Sequence, residues 1–238
     1  MIFHKNIRNL NNKTDEIWNT IELNLPHMLC FTEPHLKSYQ LDNIFFQNYQ
    51  LNAEYCRRRH KNGGVCIYIH ESLQFSNTNV YEICKEKDFG ACVIKLYLSC
   101  CTIGVVNIYW SPLGNFEYFL ENLEALLNFI KGNFMELITC GDFNVNFLND
   151  STQKQLLISL LATYGLSSTV QFPTRICNIS ISTIDNIFIN TAKFNNFTVH
   201  RMVNGISDHD AQIIILHDIT MVIDTSHFYL TRKIKHQS

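Results

Sequence analysis

The sequence predicts an α/β protein, a four-layered α/β sandwich in which two packed mixed β-sheets are flanked by helices. Three observations lead to this prediction. Ten short apolar runs have the composition of strands, three segments have the apolar spacing of amphipathic helices, and the helices do not alternate strictly with the strands. Strict alternation would favour one doubly wound parallel sheet, so two sheets fit the order of the elements better.

The predicted strands are rich in Ile, Val, Cys, Tyr and Phe and are bounded by Gly, Asn, Pro or Ser, which is typical of β-structure. In chain order they are MIFH (1–4), HMLCFT (27–32), QLNAEY (50–55), GVCIYIH (64–70), ACVIKLYL (91–98), TIGVVNIYW (102–110), MELITCGD (135–142), TIDNIFIN (183–190), FTVHRM (197–202) and AQIIILHD (211–218).

The predicted helices have capping residues at their ends and one apolar face each. The first spans about residues 12–24, the second begins after Asn115 and stops at Gly132, and the third begins at Ser151 and ends before Gly165. The residues expected to face inward are Ile17, Ile21 and Leu25 in the first helix, Phe119, Leu123, Leu126, Leu127 and Ile130 in the second, and Leu156, Leu157, Leu160 and Leu161 in the third.

Length and composition indicate one folded domain. The 238 residues are 46% hydrophobic and contain no low-complexity linker, so we expect a single domain at residues 1–217 and a C-terminal tail at residues 218–238. No stretch approaches the roughly 20 apolar residues that cross a bilayer. The first residues are too polar for a secretory signal. The sequence therefore predicts an intracellular protein with no membrane segment.

Charge and cysteine content narrow the classes of function. The net charge is −2, whereas a protein that binds nucleic acid through a broad basic surface is usually more positive. The basic run at residues 57–61 is typical of a solvated loop, and a phosphate-binding role stays open. The nine cysteines lie mostly in apolar runs and form no CxxC pair, which disfavours a disulfide scaffold or a zinc ribbon. Buried, reduced thiols are expected.

Short polar phrases follow or interrupt the apolar runs along the whole chain. They contain Asn6 in HKNIRNL, Glu33 in CFTEPHL, Tyr109 in VVNIYWSP, Asp142 and Asn144 in ITCGDFNVN, Asp185 in STIDNIF, and Asp208 and His209 in ISDHDAQI. Each phrase alone has a structural explanation, because Gly, Asp and Asn form turns and a tyrosine in an apolar strand packs in a core. Together they predict an active site at strand ends, where a rigid sheet positions loop residues.

The residue types indicate phosphodiester hydrolysis assisted by magnesium. Magnesium prefers oxygen ligands and keeps several waters, so Glu33 and Asp208 suffice as anchors, with Asn6 offering a neutral carbonyl. Asp142 and Asn144 would point the same way if the chain were locally extended, so that one accepts a proton from water while the other positions it. His209 is the best-placed histidine, and Asp185 could hold its imidazole in one tautomer.

In this order, the phrases NIRNL, CFTEPHL, KNGGVCIYIH, IYWSP, CGDFNVNFL, FPTR, STIDNIFIN and GISDHDAQI resemble the endonuclease/exonuclease/phosphatase superfamily, which has the DNase I-like fold. The nearest likeness within it is to the apurinic-type endonuclease domain of non-LTR retrotransposons. GDFN and SDH are shared across the superfamily, whereas GGVCIYI, FPTR and IDNIF favour the retrotransposon branch. The resemblance covers residues 1 to about 217.

The resemblance implies a two-sheet sandwich with the site at one rim and Mg²⁺ as cofactor, with Mn²⁺ as a substitute. The implied metal ligands are Asn6, Glu33 and Asp208, and the implied catalytic residues are Tyr109, Asp142, Asn144, Asp185 and His209. Tyr109, Asn144 and His209 would contact the substrate phosphate, or His209 would act as the base. Asp142 would activate water, and Asp185 would hold His209.

Three functions are compatible with this sequence. The leading hypothesis is an endonuclease that nicks DNA and leaves a 3′-hydroxyl for a reverse transcriptase located elsewhere; genomic DNA as substrate would place the protein in the nucleus, and no obligate protein partner is inferred. The second is a phosphatase or sphingomyelinase-like phosphodiesterase on the same fold. The third is a catalytically inert retrotransposon remnant or binding module. Trp110, which follows Tyr109 where this branch usually has arginine, mildly favours inertness.

Overall fold

The structure is a computed structural model that describes residues 1–99, 101–132, 136–177, 180–217, 219–220 and 222. The strands are β1 (Ile2–Asn6), β2 (Met28–Thr32), β3 (Tyr49–Tyr55), β4 (Val65–His70), β5 (Phe75–Thr78), β6 (Gly90–Tyr97), β7 (Thr102–Tyr109), β8 (Glu136–Asp142), β9 (Ser167–Ser168), β10 (Arg175–Cys177), β11 (Ser180–Ser182), β12 (Asp185–Ile189), β13 (Phe197–Met202) and β14 (Ala211–Leu216). The helices are α1 (Thr14–Ile21), α2 (Ser38–Leu41), α3 (Phe116–Lys131) and α4 (Thr152–Thr163), with a 3₁₀ turn at Tyr81–Ile83.

Twelve of these strands form two six-stranded sheets, in the orders β13-β14-β1-β2-β4-β3 and β5-β6-β7-β8-β12-β9. Each sheet is mixed, because β1 and β2 are parallel, as are β7 and β8, while the other neighbours are antiparallel. Strands β10 and β11 form a separate hairpin-like pair. This arrangement confirms the predicted pair of mixed sheets.

Three apolar clusters show how the layers stack. The cluster between the sheets joins residues of both, such as Cys30 and Ile67 from the first and Val105 and Ile138 from the second. The outer face of the first sheet packs against α1 and α2, and the outer face of the second packs against α3 and α4. Helix, sheet, sheet and helix make the four layers that the sequence predicts, and burial of these apolar faces is the main stabilising contribution.

Each of the ten predicted strand runs overlaps an observed strand. The unpredicted elements are short: α2, β5, β9, β10 and β11 contain two to four residues each. Such segments carry too few residues for a periodic apolar pattern, so the neighbouring strand decides whether they pair. The predicted caps are confirmed, since the side chains of Asn115 and Ser151 accept hydrogen bonds from the backbone N–H groups of Tyr118 and Lys154.

Two predicted inward-facing residues are wrong. Leu25 lies beyond the end of α1, adopts a φ of 33° and is 38% exposed. Leu156 lies on α4 but is 49% exposed, because Leu157 and Leu161 are the residues that this helix buries. A single amphipathic helix covering the edge of a sheet buries a narrower stripe than the four leucines suggest.

Most of the predicted C-terminal tail, residues 218–238, lies outside the described residues. Within it, Ile219 packs against the cluster between the sheets, and the N–H of Val222 donates to the carbonyl of Tyr97. The domain boundary at residue 217 stays a prediction. Among the described residues, no helix is both long and apolar enough to cross a membrane. Of the cysteines that the structure describes, only Cys177 is exposed.

Candidate active site

The sheet topology gathers the predicted site residues at one edge of the sandwich. The parallel pair β1 and β2 ends at Asn6 and just before Glu33, and the parallel pair β7 and β8 ends at Tyr109 and Asp142. The antiparallel strand β12 begins at that edge, with Asp185 paired to Asp142 in the register. Hydrogen bonds and ion pairs connect six of the predicted site residues, with Arg8 linking Asn6, Glu33 and Asp208, and the other two, Asp185 and His209, are bonded to each other.

Two carboxylates and an imidazole form the buried centre of this network. Asp142, Asp185 and His209 offer ligand atoms that lie within 4.8 Å of one another, and all three residues are buried. Nδ1 of His209 donates to Oδ2 of Asp185 over 2.7 Å. The predicted role of Asp185 in orienting His209 is therefore compatible with the observed contact.

Burial and mutual charge shift the protonation of this centre. Burial, reinforced by the Asp185 carboxylate, raises the pKa of Asp142 well above its ordinary value. Burial alone would lower the pKa of His209, but the adjacent Asp185 carboxylate outweighs it and raises the pKa of His209 to about 9. The imidazolium form of His209 therefore predominates at neutral pH. The raised pKa of Asp142 allows this carboxyl group to exchange a proton near neutral pH.

Two asparagines hold the Asp142 carboxylate. Nδ2 of Asn6 donates to Oδ2 of Asp142 over 2.7 Å, and the backbone N–H of Asn144 donates to Oδ1 over 2.9 Å. Asn144 is not locally extended, because its φ is 48°, so the expected parallel orientation of the Asp142 and Asn144 side chains is wrong. The Asn144 side chain instead donates to the carbonyl of Trp110.

Glu33 is placed by a strained loop. Its φ is 54°, in the left-handed region that is costly for a residue with a side chain. The loop is held because the N–H of Glu33 donates to the carbonyl of Gly64 over 3.0 Å and that of His35 donates to the carbonyl of Gly63 over 3.3 Å. Strain that the surroundings maintain in this way is typical of a functional position rather than of a surface turn.

Hydrogen bonds keep the Glu33 carboxylate ionised. Its Oε1 accepts from the hydroxyl of Tyr109 over 2.7 Å, and its Oε2 accepts from Nε2 of His35 over 3.0 Å. Burial would raise the pKa of Glu33, but the hydrogen bonds from His35 and Tyr109 outweigh it and lower the pKa to about 2. Tyr109 thus has a polar partner in the site and is not only a core residue.

Arg8 contacts every predicted metal ligand. Its backbone N–H donates to Oδ1 of Asn6 over 3.1 Å, its Nη1 donates to Oδ1 of Asp208 over 2.8 Å, and its Nε lies 3.9 Å from Oε2 of Glu33. Burial would raise the pKa of Asp208, but a hydrogen bond from Arg175 and the charges of His209 and Arg8 lower it. Reasoning from the sequence missed Arg8, although it lies inside the NIRNL phrase.

The loop that carries His209 is tied to the first strand and to the FPTR phrase. The buried Nζ of Lys5 donates to the carbonyl of His209 over 2.6 Å. Thr174 holds the start of β12, because its hydroxyl oxygen accepts from the N–H of Asp185 over 3.1 Å, and Nε of Arg175 donates to Oδ2 of Asp208 over 2.9 Å. These positioning residues were also missed, and only the FPTR resemblance pointed to two of them.

Trp110 lies in the apolar cluster beneath α3, where its ring stacks on Phe119 with centroids 5.3 Å apart. It is 5% exposed, and its buried indole N–H has no hydrogen-bond partner among the residues that the structure describes. The tryptophan side chain is therefore a core residue, and Trp110 meets the site through its backbone, whose carbonyl accepts from the Asn144 side chain and whose N–H donates to the carbonyl of Asp142.

The donor set fits a divalent cation. Asp142 and Asp185 supply carboxylate oxygens, and the buried Oδ1 of Asp185 has no hydrogen-bond partner within the described part of the chain. A buried, unpaired carboxylate oxygen is unfavourable, so a cation nearby would be stabilised. Asn6, Glu33 and Asp208 add oxygen donors at the same edge, joined to the buried centre through the contact between Asn6 and Asp142.

Solved structures share this fold. The endonuclease domain of TRAS1, a telomere-specific non-LTR retrotransposon, superposes with a TM-score of 0.70 at 15% identity, covering 92% of this chain and 97% of that domain. The 3′ phosphatase NExo from Neisseria, bound to a product DNA hairpin, gives 0.67 at 16% identity, covering 93% and 98%. The catalytic domain of Xenopus laevis APE2 gives 0.67 at 16% identity, covering 94% and 93%. At these identities the likeness establishes the fold.

Comparison with protein families gives the same result from the sequence. A search of curated proteins finds no significant match. The profile of the endonuclease/exonuclease/phosphatase family matches residues 4–209, a range that begins in β1 and ends at His209. It therefore includes every residue of the network described above. The chain belongs to the endonuclease/exonuclease/phosphatase family.

Proposed function

We propose that this chain is a magnesium-dependent endonuclease of the retrotransposon type that hydrolyses phosphodiester bonds of DNA. The observation that carries the proposal is the buried centre of Asp142, Asp185 and His209, connected to Glu33 and Asp208 at one edge of the sandwich. Family membership supports hydrolysis of a phosphate ester. A genomic substrate would place the protein in the nucleus.

The proposed cation would be held by Asn6, Glu33 and Asp208. When bound, it would neutralise the charge that develops on the phosphoryl oxygens. Mg²⁺ is proposed because every donor is an oxygen, and Mn²⁺ would substitute for it.

Proton transfer is proposed for Asp142. Its raised pKa brings it close to the working pH, where a general base is most effective, and the N–H of Asn144 keeps one carboxylate oxygen in place. His209 is proposed to donate a hydrogen bond to a phosphoryl oxygen. Asp185 favours its protonated form, which makes it a donor rather than a base. The hydroxyl of Tyr109 lies beside Glu33, where a phosphate bound to the cation would meet it.

The basic loop at residues 57–61 supports DNA as the substrate. The guanidinium of Arg57 lies 5.3 Å from the centre of the Tyr109 ring, which brings the loop to the edge of the site. Its backbone is held by Glu86, which accepts from the N–H groups of Arg58 and Arg59, and by Lys37, which donates to the carbonyl of Arg57. A cation held at the edge of the site, as Arg57 is, suits contact with a backbone phosphate beside the scissile bond.

Structural neighbours agree with this assignment of the substrate. The Neisseria 3′ phosphatase was solved with a product DNA hairpin, and the TRAS1 domain is named as an endonuclease. The DNA hairpin held by the Neisseria protein supports DNA as the substrate proposed for this chain.

Nicking of supercoiled plasmid, with Mg²⁺ and with a chelator in its place, tests the proposal. We expect Mg²⁺-dependent nicking that Asp142→Ala and His209→Ala each slow at least ~100-fold, the usual size of removing a catalytic group. Asp150→Ala is the matched control, since this carboxylate is 91% exposed and forms a salt bridge with Lys154. Activity in both site variants equal to that of the control would reject the assignment. Cleavage of a phosphoinositide or sphingomyelin but not DNA would favour the other phosphodiesterase class.

An inert domain is the second candidate, and one observation favours it. Arg8 already occupies the contacts that a cation would make with Asn6, Glu33 and Asp208. Folded protein that cleaves neither DNA nor lipid phosphodiesters with Mg²⁺ or Mn²⁺ would support this alternative.

A further inference from the structure

We propose that Arg8 is a built-in cation that competes with the divalent ion for its proposed ligands, so that the ion binds only after the Arg8 side chain leaves. This inference rests on the proposed function, because it assumes that Asn6, Glu33 and Asp208 are the ligands. It adds a residue that sets how tightly this chain holds its cofactor.

The charged contacts of Arg8 coincide with the atoms that an ion would need. Its Nη1 donates to Oδ1 of Asp208 over 2.8 Å, and its Nε lies 3.9 Å from Oε2 of Glu33. One guanidinium thus bridges two carboxylates that come from loops in different parts of the chain. While the Arg8 guanidinium lies between these two carboxylates, it repels a divalent cation that approaches the same place, because like charges repel at short range.

The two carboxylates also have other partners. Arg175 donates to Oδ2 of Asp208, Tyr109 donates to Oε1 of Glu33, and His35 donates to Oε2 of Glu33. Departure of the Arg8 side chain would therefore release Oδ1 of Asp208 and would remove a competing cation from Oε2 of Glu33, which would keep its hydrogen bond from His35. The other contacts would keep the two carboxylates in position, which is what an oxygen site for a divalent ion requires.

The Arg8 side chain is free to leave because it is not packed in the core. Its side chain is 47% exposed, and its contacts in the site are ion pairs rather than apolar packing. The contact with Asn6 is made by the backbone N–H, so it would persist when the side chain rotates away. A partly exposed ion pair contributes little free energy, so displacement by an ion at sufficient concentration is feasible.

Titration of the full chain with Mn²⁺, following free Mn²⁺ by electron paramagnetic resonance, tests this inference without measuring activity. We expect Arg8→Gln to lower the Kd for Mn²⁺ at least tenfold relative to the unaltered chain. Arg8→Lys, which keeps the charge but loses the planar fork, should lower it less. Arg201→Gln is the matched control. It also removes a cation that pairs with a carboxylate near the site, Asp210, which is not a proposed ligand.

The result that would overturn the inference is an Arg8→Gln chain whose Mn²⁺ affinity equals that of the unaltered chain or of the Arg201→Gln control. Absence of Mn²⁺ binding by folded Arg8→Gln would overturn it as well. Glu33→Gln added to Arg8→Gln should abolish the gain, and a gain that survives would show that the ion binds elsewhere. Plasmid nicking is read separately: nicking without a gain in affinity rejects the role of Arg8 alone, whereas a gain without nicking by any variant rejects the endonuclease.

Discussion

Replacing Asp142 by asparagine should stabilise the protein and inactivate it. Asp142 is 1% exposed and is paired with Asp185 in the register of β8 and β12. Burial and the Asp185 carboxylate raise the pKa of Asp142 from 3.8 to about 8. At pH 7 the folded protein without a metal therefore keeps a proton on this residue that the unfolded chain has released, which opposes folding.

The size of the effect follows from two opposing contributions. Each unit of pKa shift corresponds to about 1.4 kcal/mol. At pH 7 the pH lies roughly three units above the pKa of the unfolded chain, so a side chain that does not ionise can stabilise the fold by at most about 4 kcal/mol. The two carboxylate oxygens of Asp142 accept hydrogen bonds from Asn6 and Asn144, whereas an asparagine offers only one oxygen. One of these two donors would then face the NH₂ group of the new side chain, and the lost hydrogen bond costs about 1–3 kcal/mol. We therefore expect Asp142→Asn to be more stable by about 1–3 kcal/mol at pH 7.

The pH dependence gives the sharper test. Between pH 3.8 and about 8 the folded state binds more protons at Asp142 than the unfolded state does, so the stability of the unaltered chain falls as pH rises through this window. Asparagine does not titrate. The advantage of the variant should therefore grow from near zero at about pH 5 to its full size at about pH 8.

Urea denaturation in EDTA at both pH values measures this difference, and plasmid nicking with Mg²⁺ should show at least a ~100-fold loss. Asp150→Asn, an exposed carboxylate, should change neither quantity. A variant that is no more stable at pH 8, or whose advantage does not change with pH, would refute the reasoning.

Three further predictions concern Lys5, Gly141 and the cysteines. Lys5→Met should lower the nicking rate about tenfold with little change in substrate affinity, because Lys5 donates to the carbonyl of His209; steady-state kinetics measures both quantities. Gly141→Ala should destabilise the fold by about 1–3 kcal/mol in urea denaturation, since a Cβ there would collide with the carbonyl of the neighbouring strand, whereas Gly132→Ala should be neutral. A thiol reagent should label Cys177 before any other cysteine that the structure describes, and mass spectrometry of tryptic peptides would contradict this if a buried thiol reacted first.

Most of the fold could be predicted because the signals for its main elements are local. Strands β6 and β7, which apolar runs predict, have eight residues each, and the caps of α3 and α4 lie beside the helices they begin. The two-residue strand β9 carries no such signal. It pairs only because Phe188 and Ile189 in β12 present their backbone groups to it.

The site was predictable in its members but not in its contacts. Polar residues at strand ends, such as Asp142 after MELITC, indicated where an active site would form. The left-handed backbone of Asn144 and Glu33 could not be read from residue type, because surrounding hydrogen bonds maintain it. Trp110 likewise carries no local sign that its ring packs under α3 instead of in the site.

By itself, the amino-acid sequence determined the chemical groups of this protein and the ends of the strands that carry them, since composition and periodicity act over a few residues. Only the tertiary structure decided which groups face each other. Arg8 and Asp208 are 200 positions apart in the chain, and they meet because β1 pairs with both β2 and β14 in one sheet. The register of that sheet brings a guanidinium between the carboxylates of Glu33 and Asp208, and no local pattern specifies a contact between such distant residues.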